Sequence, residues 1–504
     1  MKKIICFVLM FVFLLASCGE SPAVPTETTV STEQTSPPSI YDGVFSDDRE
    51  PITDFNSLLS YITEAHRAVL TDKSTFDDID EYLTVEKNLL TSDEILNLRE
   101  EKNAVETLTR DQALSDAELF FRMMKYEYAG YYYFGGDKVW DPAKDKVMAE
   151  IEKKNTITSS ELASIISENI DFVNDGHFVI GTESVCDYYS YYTDSSVRFD
   201  KDETGYFTLS DGEKLYYESS DTDGVKIDVS LDADGNLYYG LVYLADNDNS
   251  KEKSKIYLVG ESGRTDITVE WTKAENYVNP DGTMYRYFKE GNVAYLSVRS
   301  FSDERNKSLQ NFLKTGKTLQ NAKYIIFDLR GNSGGYMNYP EDWFYNFAET
   351  YVAVNRAEIT RHTKMTYLSQ DEMVTKKITN GAMVKNDRTI FVLVDKHVAS
   401  AGELMIQYLK TLENVVVVGC NSLGCAMFGG VVDYYLPNSG LLSYFGFLLH
   451  LYNNKENTEG VGITPDIWCD PSSALSCVYE LMNKNELYDV SSCEKLTELA
   501  NAEK

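Results

Sequence analysis

The stretch Thr389-Ile-Phe-Val-Leu-Val-Asp-Lys-His-Val-Ala-Ser-Ala-Gly-Glu-Leu-Met405 passes from an apolar run through a short polar turn into a helix-forming run. Residues 389–394 read as a buried strand. Ser400 stands where strand gives way to helix, a turn that holds its hydroxyl outward. The amide of Ala401 then lies at the start of the helix, where unpaired N–H groups and the helix dipole favour an oxyanion. Upstream, Tyr324-Ile-Ile-Phe-Asp-Leu-Arg-Gly-Asn-Ser-Gly-Gly335 is a second apolar strand ending in a glycine-rich loop. Two strand ends that converge with backbone donors and a hydroxyl point to acyl transfer.

Around these two strands the pattern is α/β. Val293–Val298 and Val415–Val418 read as further strands, and 308–319 and 403–412 as helices. Strand–helix–strand crossovers imply a mainly parallel sheet covered on both faces. Segments 431–436 and 441–447 flank Pro437-Asn-Ser-Gly440, a hairpin turn. Residues 178–290 alternate apolar and polar between Asp/Gly/Ser turns and read as a small β-rich insert. Its last hairpin, around Lys255 to Val269, is weakly similar to the closing hairpin of a PDZ domain. Residues 53–177 read as helical. Phe55, Leu58, Leu59, Ile62, His66, Val69 and Leu70 form one apolar stripe, and Leu162, Ile165, Ile166, Ile170 and Val173 another. Ser115-Asp-Ala-Glu118 reads as a capping box and Asp141-Pro142 as a second helix start. Asn174-Asp-Gly176 is a turn that leaves His177 just beyond a helix.

The N-terminus reads as an address. Lys2 and Lys3 precede a short apolar run, Ile4 to Leu15, and then Leu15-Ala-Ser-Cys18. This order resembles a bacterial lipoprotein signal, 1–17, with Cys18 as the lipidated residue. Residues 18–52, rich in Ser, Thr, Pro and Glu, cannot bury enough surface to fold and read as a flexible stalk. The expected organisation is therefore signal 1–17, stalk 18–52, helical domain 53–177, β-rich insert 178–290 and α/β core 291–504. The implied location is the outer side of the bacterial cell membrane, held by lipid.

A net charge of −33 argues against a nucleic-acid partner, whose phosphates need Lys and Arg. Six cysteines remain after Cys18, namely Cys186, Cys420, Cys425, Cys469, Cys477 and Cys493. No Cys-x-x-Cys pair occurs, so no zinc site is expected from spacing, and no cofactor is called for. The loop 331–335 lacks the Lys-Ser/Thr of a phosphate-binding loop.

A serine nucleophile needs a base, and the chain has five histidines: His66, His177, His362, His397 and His450. His66 sits on an apolar helix face, His362 in a strand-like stretch, and His450 after an aromatic hairpin. His397 shares the tight turn with Ser400. His177, on a loop beyond a helix, is the best candidate, although a solvated loop histidine is an equally simple reading.

The motifs Asp328-Leu-Arg-Gly-Asn-Ser-Gly-Gly335, Ser400-Ala-Gly-Glu403 and Gly462-Ile-Thr-Pro-Asp-Ile467 follow one another as in the C-terminal processing (tail-specific) serine peptidases. With Asp175-Gly-His177 added, the set is most similar to the tricorn-like branch. The resemblance implies a ClpP/crotonase-like α/β core. One branch uses a Ser–Lys dyad, with lysine in a Gly-Lys-Gly loop. Here that loop is Gly419-Cys-Asn-Ser-Leu-Gly-Cys425-Ala, and Cys425 stands in the lysine position. The tricorn-like branch implies instead a triad of Ser400, His177 and Glu459, with Glu456 a nearby rival for the acid. It implies an oxyanion hole from Ala401 and from Gly334 or Gly335. Asp328 and Arg330 read as scaffold. Short or unfolded peptides are the expected substrates, with no metal or cofactor. The family resemblance also includes binding proteins, such as the retinoid-binding repeats. A catalytically inactive ligand- or peptide-binding lipoprotein, using the tyrosine clusters 188–192 and 434–435, is therefore the alternative.

Overall fold

The Thr389–Val394 strand is buried at every residue. It lies parallel between Tyr324–Asp328 and Val415–Gly419. Val293–Val298 extends this sheet on one side and Ile467–Trp468 on the other, again in parallel. The computed structural model describes residues 51–504 apart from 53, 72–75, 77–78, 247–249, 352–353, 370 and 453–456. The expected signal, Cys18, nearly all of the stalk and Glu456 fall outside the described residues.

Alternation along the strands divides the core into two layers. Ile390, Val392 and Val394 face the helices Leu309–Leu319, Asn338–Ala348 and Ala401–Leu409. Phe391 and Leu393 face Phe55, Leu58 and Ile62 of the Phe55–Thr71 helix and Leu475 and Val478 of the Ala474–Lys484 helix. This is the α/β core expected from the run of apolar strands.

The β-rich segment does not sit apart from it. Trp468 pairs in parallel with Ser230 of the Val225–Leu231 strand. Beyond that pair the same 14-stranded sheet continues through antiparallel strands as far as the Lys253–Gly260/Gly263–Glu270 hairpin. Tyr192, Val229 and Leu241 share a core with Ile326 and Phe391. The break expected at 290 is thus bridged by hydrogen bonds and by shared packing, and the sheet as a whole is mixed. The hairpin near Lys255 forms, but the likeness to a PDZ domain goes no further. The described part of 178–290 is strands and turns, with no helix.

Two helix starts also differ from the sequence reading. The helix expected to open at Ser115 begins at Arg110, where Thr109 and Gln112 form the reciprocal capping box. Pro142 lies inside the Asp137–Glu152 helix rather than at its first position. Tertiary packing outweighs local propensity there. Trp140, two residues before the proline, is buried among Phe121, Tyr131 and Phe172.

A second, six-stranded sheet is antiparallel and contains the Phe428–Tyr435/Leu442–Leu451 hairpin. Val179 and Ile180, two and three residues after His177, pair with Tyr444 and Ser443 of that hairpin. Tyr128 joins the helical segment to both, with its ring against Phe178, Phe428 and Phe445. The loop carrying His177 is therefore fixed on both sides.

His66 is not free for chemistry. It is buried with its Nε2 2.9 Å from Asp466 Oδ1, which also accepts from Lys410 Nζ at 3.1 Å. Burial alone would raise the Asp466 carboxyl. The charges of His66 and Lys410, with hydrogen bonds from His66 and the Val417 amide, outweigh it and hold the group at about 2. Its folded value lies below the ordinary carboxylate value, so this contribution is complete above that value and is lost as pH falls towards 2. Asp466→Asn leaves Lys410 without its anion and is expected to destabilise the fold by about 3–5 kcal/mol at neutral pH. It should also flatten the acid limb of the stability profile. Denaturant titrations from pH 7 to pH 3 check both effects, and a loss under about 0.5 kcal/mol would contradict the assignment.

Candidate active site

Register places two loops side by side. Asp328 pairs with Leu393, so the Gly331–Gly335 loop and the 395–400 turn leave the sheet at the same edge. Asp395 ties them together, its Oδ1 accepting from Gly331 N–H at 2.9 Å and His397 N–H at 3.1 Å. Ala399 N–H donates to the Asn332 carbonyl at 3.0 Å. Ser400 itself has φ 52° and ψ −120°. For an L-residue that conformation costs about 1–3 kcal/mol and persists only where its surroundings impose it.

Glu403 supplies much of that imposition. Fully buried, it accepts from Ser400 N–H at 3.0 Å, Ser422 Oγ at 2.6 Å, Gly424 N–H at 2.9 Å and Cys425 N–H at 2.8 Å. Burial raises its carboxyl despite these donors. Lys396 clamps the same region, donating to the carbonyls of Ser422, Leu423 and Gly460 at 3.1, 3.1 and 2.8 Å. Burial brings its ammonium down to about 8.

The glycine loop touches the serine turn. A Cβ on Gly334 would lie 2.8 Å from both the Ala399 carbonyl oxygen and Ser400 Cβ, and Gly334 has φ +88°. Only glycine combines that backbone with that approach. The Gly334 N–H, however, donates to Asn332 Oδ1 at 2.9 Å. This corrects the expectation that it serves as an oxyanion donor. The N–H groups of Ala401 and Gly335 have no partner among the described residues.

Asp328 is the anchor of the loop. It receives two hydrogen bonds from Arg299 and two side-chain bonds from Arg330, between 2.8 and 2.9 Å. Tyr295 OH adds a fifth at 2.8 Å. Burial opposes the charge, but the two guanidinium groups hold Asp328 well below the usual carboxylate range.

His177 lies with Glu459 and Cys425. One donor atom from each falls within 4.8 Å of the others. Glu459 is fully buried, and its two oxygens accept from Gly176 N–H at 2.7 Å and Met427 N–H at 2.6 Å. His177 Nδ1 is buried without a hydrogen-bond partner. Burial, then the nearby His450, lowers its imidazole to about 4. Burial, then Asp175, raises Glu459 well above the ordinary range. Asp175 is itself pushed up to about 7 by burial. It accepts from His177 N–H at 2.7 Å and Tyr128 OH at 2.9 Å, which fixes the backbone of the loop. Buried Cys425 has its thiol raised well above the usual value, first by burial and then by Glu459. A thiolate nucleophile there is disfavoured.

Cys425 links the Ser400 turn to the His177–Glu459 cluster. Cys425 N–H and Ser400 N–H converge on the same Glu403 oxygen, while Cys425 Sγ faces His177 and Glu459. No hydrogen bond links Ser400 to His177 among the described residues. The other histidines lie elsewhere. His397 is exposed near Asn276, and His362 contacts Thr375. His450 is buried 3.4 Å from Glu358.

Glu403, Lys396, Asp175, Asp395, Arg299 and Tyr128 were not singled out as site residues by sequence. Glu403 carried a usable signal, since it stands three residues after Ser400 in a capping-box spacing.

Residues 292–469 match the family model "Peptidase family S41". The chain is similar to a probable CtpA-like serine protease of Staphylococcus aureus, at 24% identity over 221 residues, 44% of this chain and 41% of the relative. It is also similar to the carboxy-terminal processing protease CtpA of Bacillus subtilis, at 28% identity over 145 residues, 29% of this chain and 28% of the relative. The matched part therefore spans less than half the length of these relatives. A solved structure of mature CPAF complexed with lactacystin aligns over 77% of this chain and 99% of its own, at 12% identity and a TM-score of 0.39.

Replacing Glu403 by Ala removes the acceptor shared by four donors. It is expected to cost at least about 3 kcal/mol, since each bond to a charged group is worth about 1.5–3 kcal/mol. Urea unfolding of the purified variant checks this, and unchanged stability would show that the Ser400 turn is held by something else.

Proposed function

We propose that this chain is a serine peptidase working through Ser400, His177 and Glu459. The observation that carries the reading is the Ser400 turn. A strained serine opens the Ala401–Leu409 helix beside an uncommitted Ala401 amide and against the glycine loop, within the segment that matches the peptidase family S41 model.

In this reading Ser400 Oγ attacks the carbonyl carbon of a peptide bond while His177 takes its proton. The oxyanion is received by Ala401 N–H at the helix start and by Gly335 N–H. His177 then returns the proton to the leaving amine, and the acyl-enzyme is hydrolysed by water activated in the same way. Glu459 offsets the imidazolium charge. At rest the imidazole is lowered and the carboxyl raised because both are buried without bonding each other. Protonation of His177 beside an ionised Glu459 would relieve both. Cys425 in place of the dyad lysine favours a histidine base. Substrates are taken to be short or unfolded peptides.

A fluorophosphonate should form an adduct that mass spectrometry locates on Ser400. His177→Ala is expected to lower labelling and peptide turnover by at least about 10³-fold, and Glu459→Gln by a smaller factor. Labelling that is absent, or that persists undiminished without His177, would favour the catalytically inactive ligand-binding alternative.

We also propose that the chain is exported and tethered by lipid at Cys18, on the strength of Lys2, Lys3, the apolar run and Leu15-Ala-Ser-Cys18. Cys18→Ala should move the protein from the membrane fraction to the soluble fraction of cells expressing the full chain. Unchanged membrane association would remove the lipid anchor from the account.

A further inference from the structure

The His177, Cys425 and Glu459 cluster is more than a triad acid and base needs. A Ser–His–Glu relay has no use for a thiol, yet Cys425 Sγ lies within 4.8 Å of both an imidazole nitrogen and a carboxylate oxygen. Imidazole, thiolate and carboxylate together are the donors preferred by zinc and by similar thiophilic divalent cations.

We propose that His177, Cys425 and Glu459 form a binding site for a divalent cation of the zinc class, and that its occupancy reversibly blocks reaction at Ser400. The first half stands on the donor geometry alone. The second rests on the peptidase reading above.

Three observations support the site. His177 Nδ1 is buried and has no hydrogen-bond partner, so a ring nitrogen is not engaged by the protein. Each Glu459 oxygen accepts one backbone N–H, at 2.7 and 2.6 Å, which orients the carboxylate and leaves a lone pair on each oxygen for a metal. Gly176 keeps the space open. A Cβ there would fall 2.4 Å from Cys425 Sγ and 2.8 Å from Glu459 Oε2.

Ligand atoms around a tetrahedral zinc lie about 3.3–3.8 Å apart, given metal–ligand distances of about 2.0–2.3 Å. Side-chain rotations of His177 and Cys425 that draw the cluster in by about 1 Å would meet that geometry. Cys425 is buried and Glu459 fully so, whereas His177 is half-buried, so entry is from the histidine side. Binding replaces the Cys425 S–H bond with a sulfur–metal bond, and the thiol proton, together with any proton on the Glu459 carboxyl, is released to solvent. The imidazole nitrogen bonded to the cation is no longer available in the proton relay, and the fixed ring cannot turn towards Ser400.

The test uses the purified full chain and cobalt(II), whose spectrum reports its ligands. One equivalent of Co²⁺ should produce a thiolate-to-cobalt charge-transfer band, displaced by Zn²⁺. Cys425→Ser and His177→Gln should each abolish the band while retaining the circular-dichroism spectrum of the parent. Cys186→Ser should leave it intact. With one equivalent of Zn²⁺, fluorophosphonate labelling of Ser400 should slow at least about tenfold and recover on adding EDTA. Absence of the band, or a band that survives in Cys425→Ser, overturns the site. A band with labelling unaffected by Zn²⁺ overturns the block. A band in a protein that never labels, with or without metal, upholds the site and overturns the peptidase reading instead.

Discussion

The candidate site depends first on the buried carboxylate of Glu403. One side chain collects the N–H groups of Ser400, Gly424 and Cys425 and the hydroxyl of Ser422. It fixes the strained serine turn and the 422–425 loop relative to each other. Cys425 in turn presents its sulfur to His177 and Glu459. Without that acceptor, four donors would be buried without partners and the two halves of the site would lose their common reference.

Around this point the protein uses buried charge for scaffolding. Asp328 with Arg299 and Arg330, and Asp466 with Lys410, are buried carboxylates held ionised by cations, and His66 adds a close polar contact to Asp466. They brace the glycine loop and the N-terminal helix. Among the described residues neither His177 nor Glu459 forms an ion pair, and burial lowers the imidazole and raises the carboxyl. In the proposed reading Glu459 is ionised when the imidazole takes the Ser400 proton, so that its charge offsets the imidazolium.

The local pieces were legible in the sequence where one segment carried its own pattern. The apolar run Thr389–Val394, followed by a small-residue turn, specifies strand, turn and helix without outside help. The stripe from Phe55 to Leu70 likewise specifies a helix. What escaped reading depends on distant partners. The strands of 178–290 alternate in the same way whether they close a separate sheet or extend the core sheet through the Trp468–Ser230 pair. The helix at Arg110 starts at Thr109 rather than Ser115, because both residues satisfy the same capping pattern. Asp175 reads as a turn residue, and only the fold brings Tyr128 to it and places it beside Glu459. Gly334 looked interchangeable with Gly335 until the Asn332 side chain was seen to occupy its amide.

The most direct test of the account is a crystal structure of the chain carrying a covalent phosphonate on Ser400. It should show the phosphonyl oxygen at the amides of Ala401 and Gly335, and His177 turned to within about 2.6–3.2 Å of Ser400 Oγ. An adduct in which the imidazole remains against Cys425 and Glu459, out of reach of that oxygen, would contradict it.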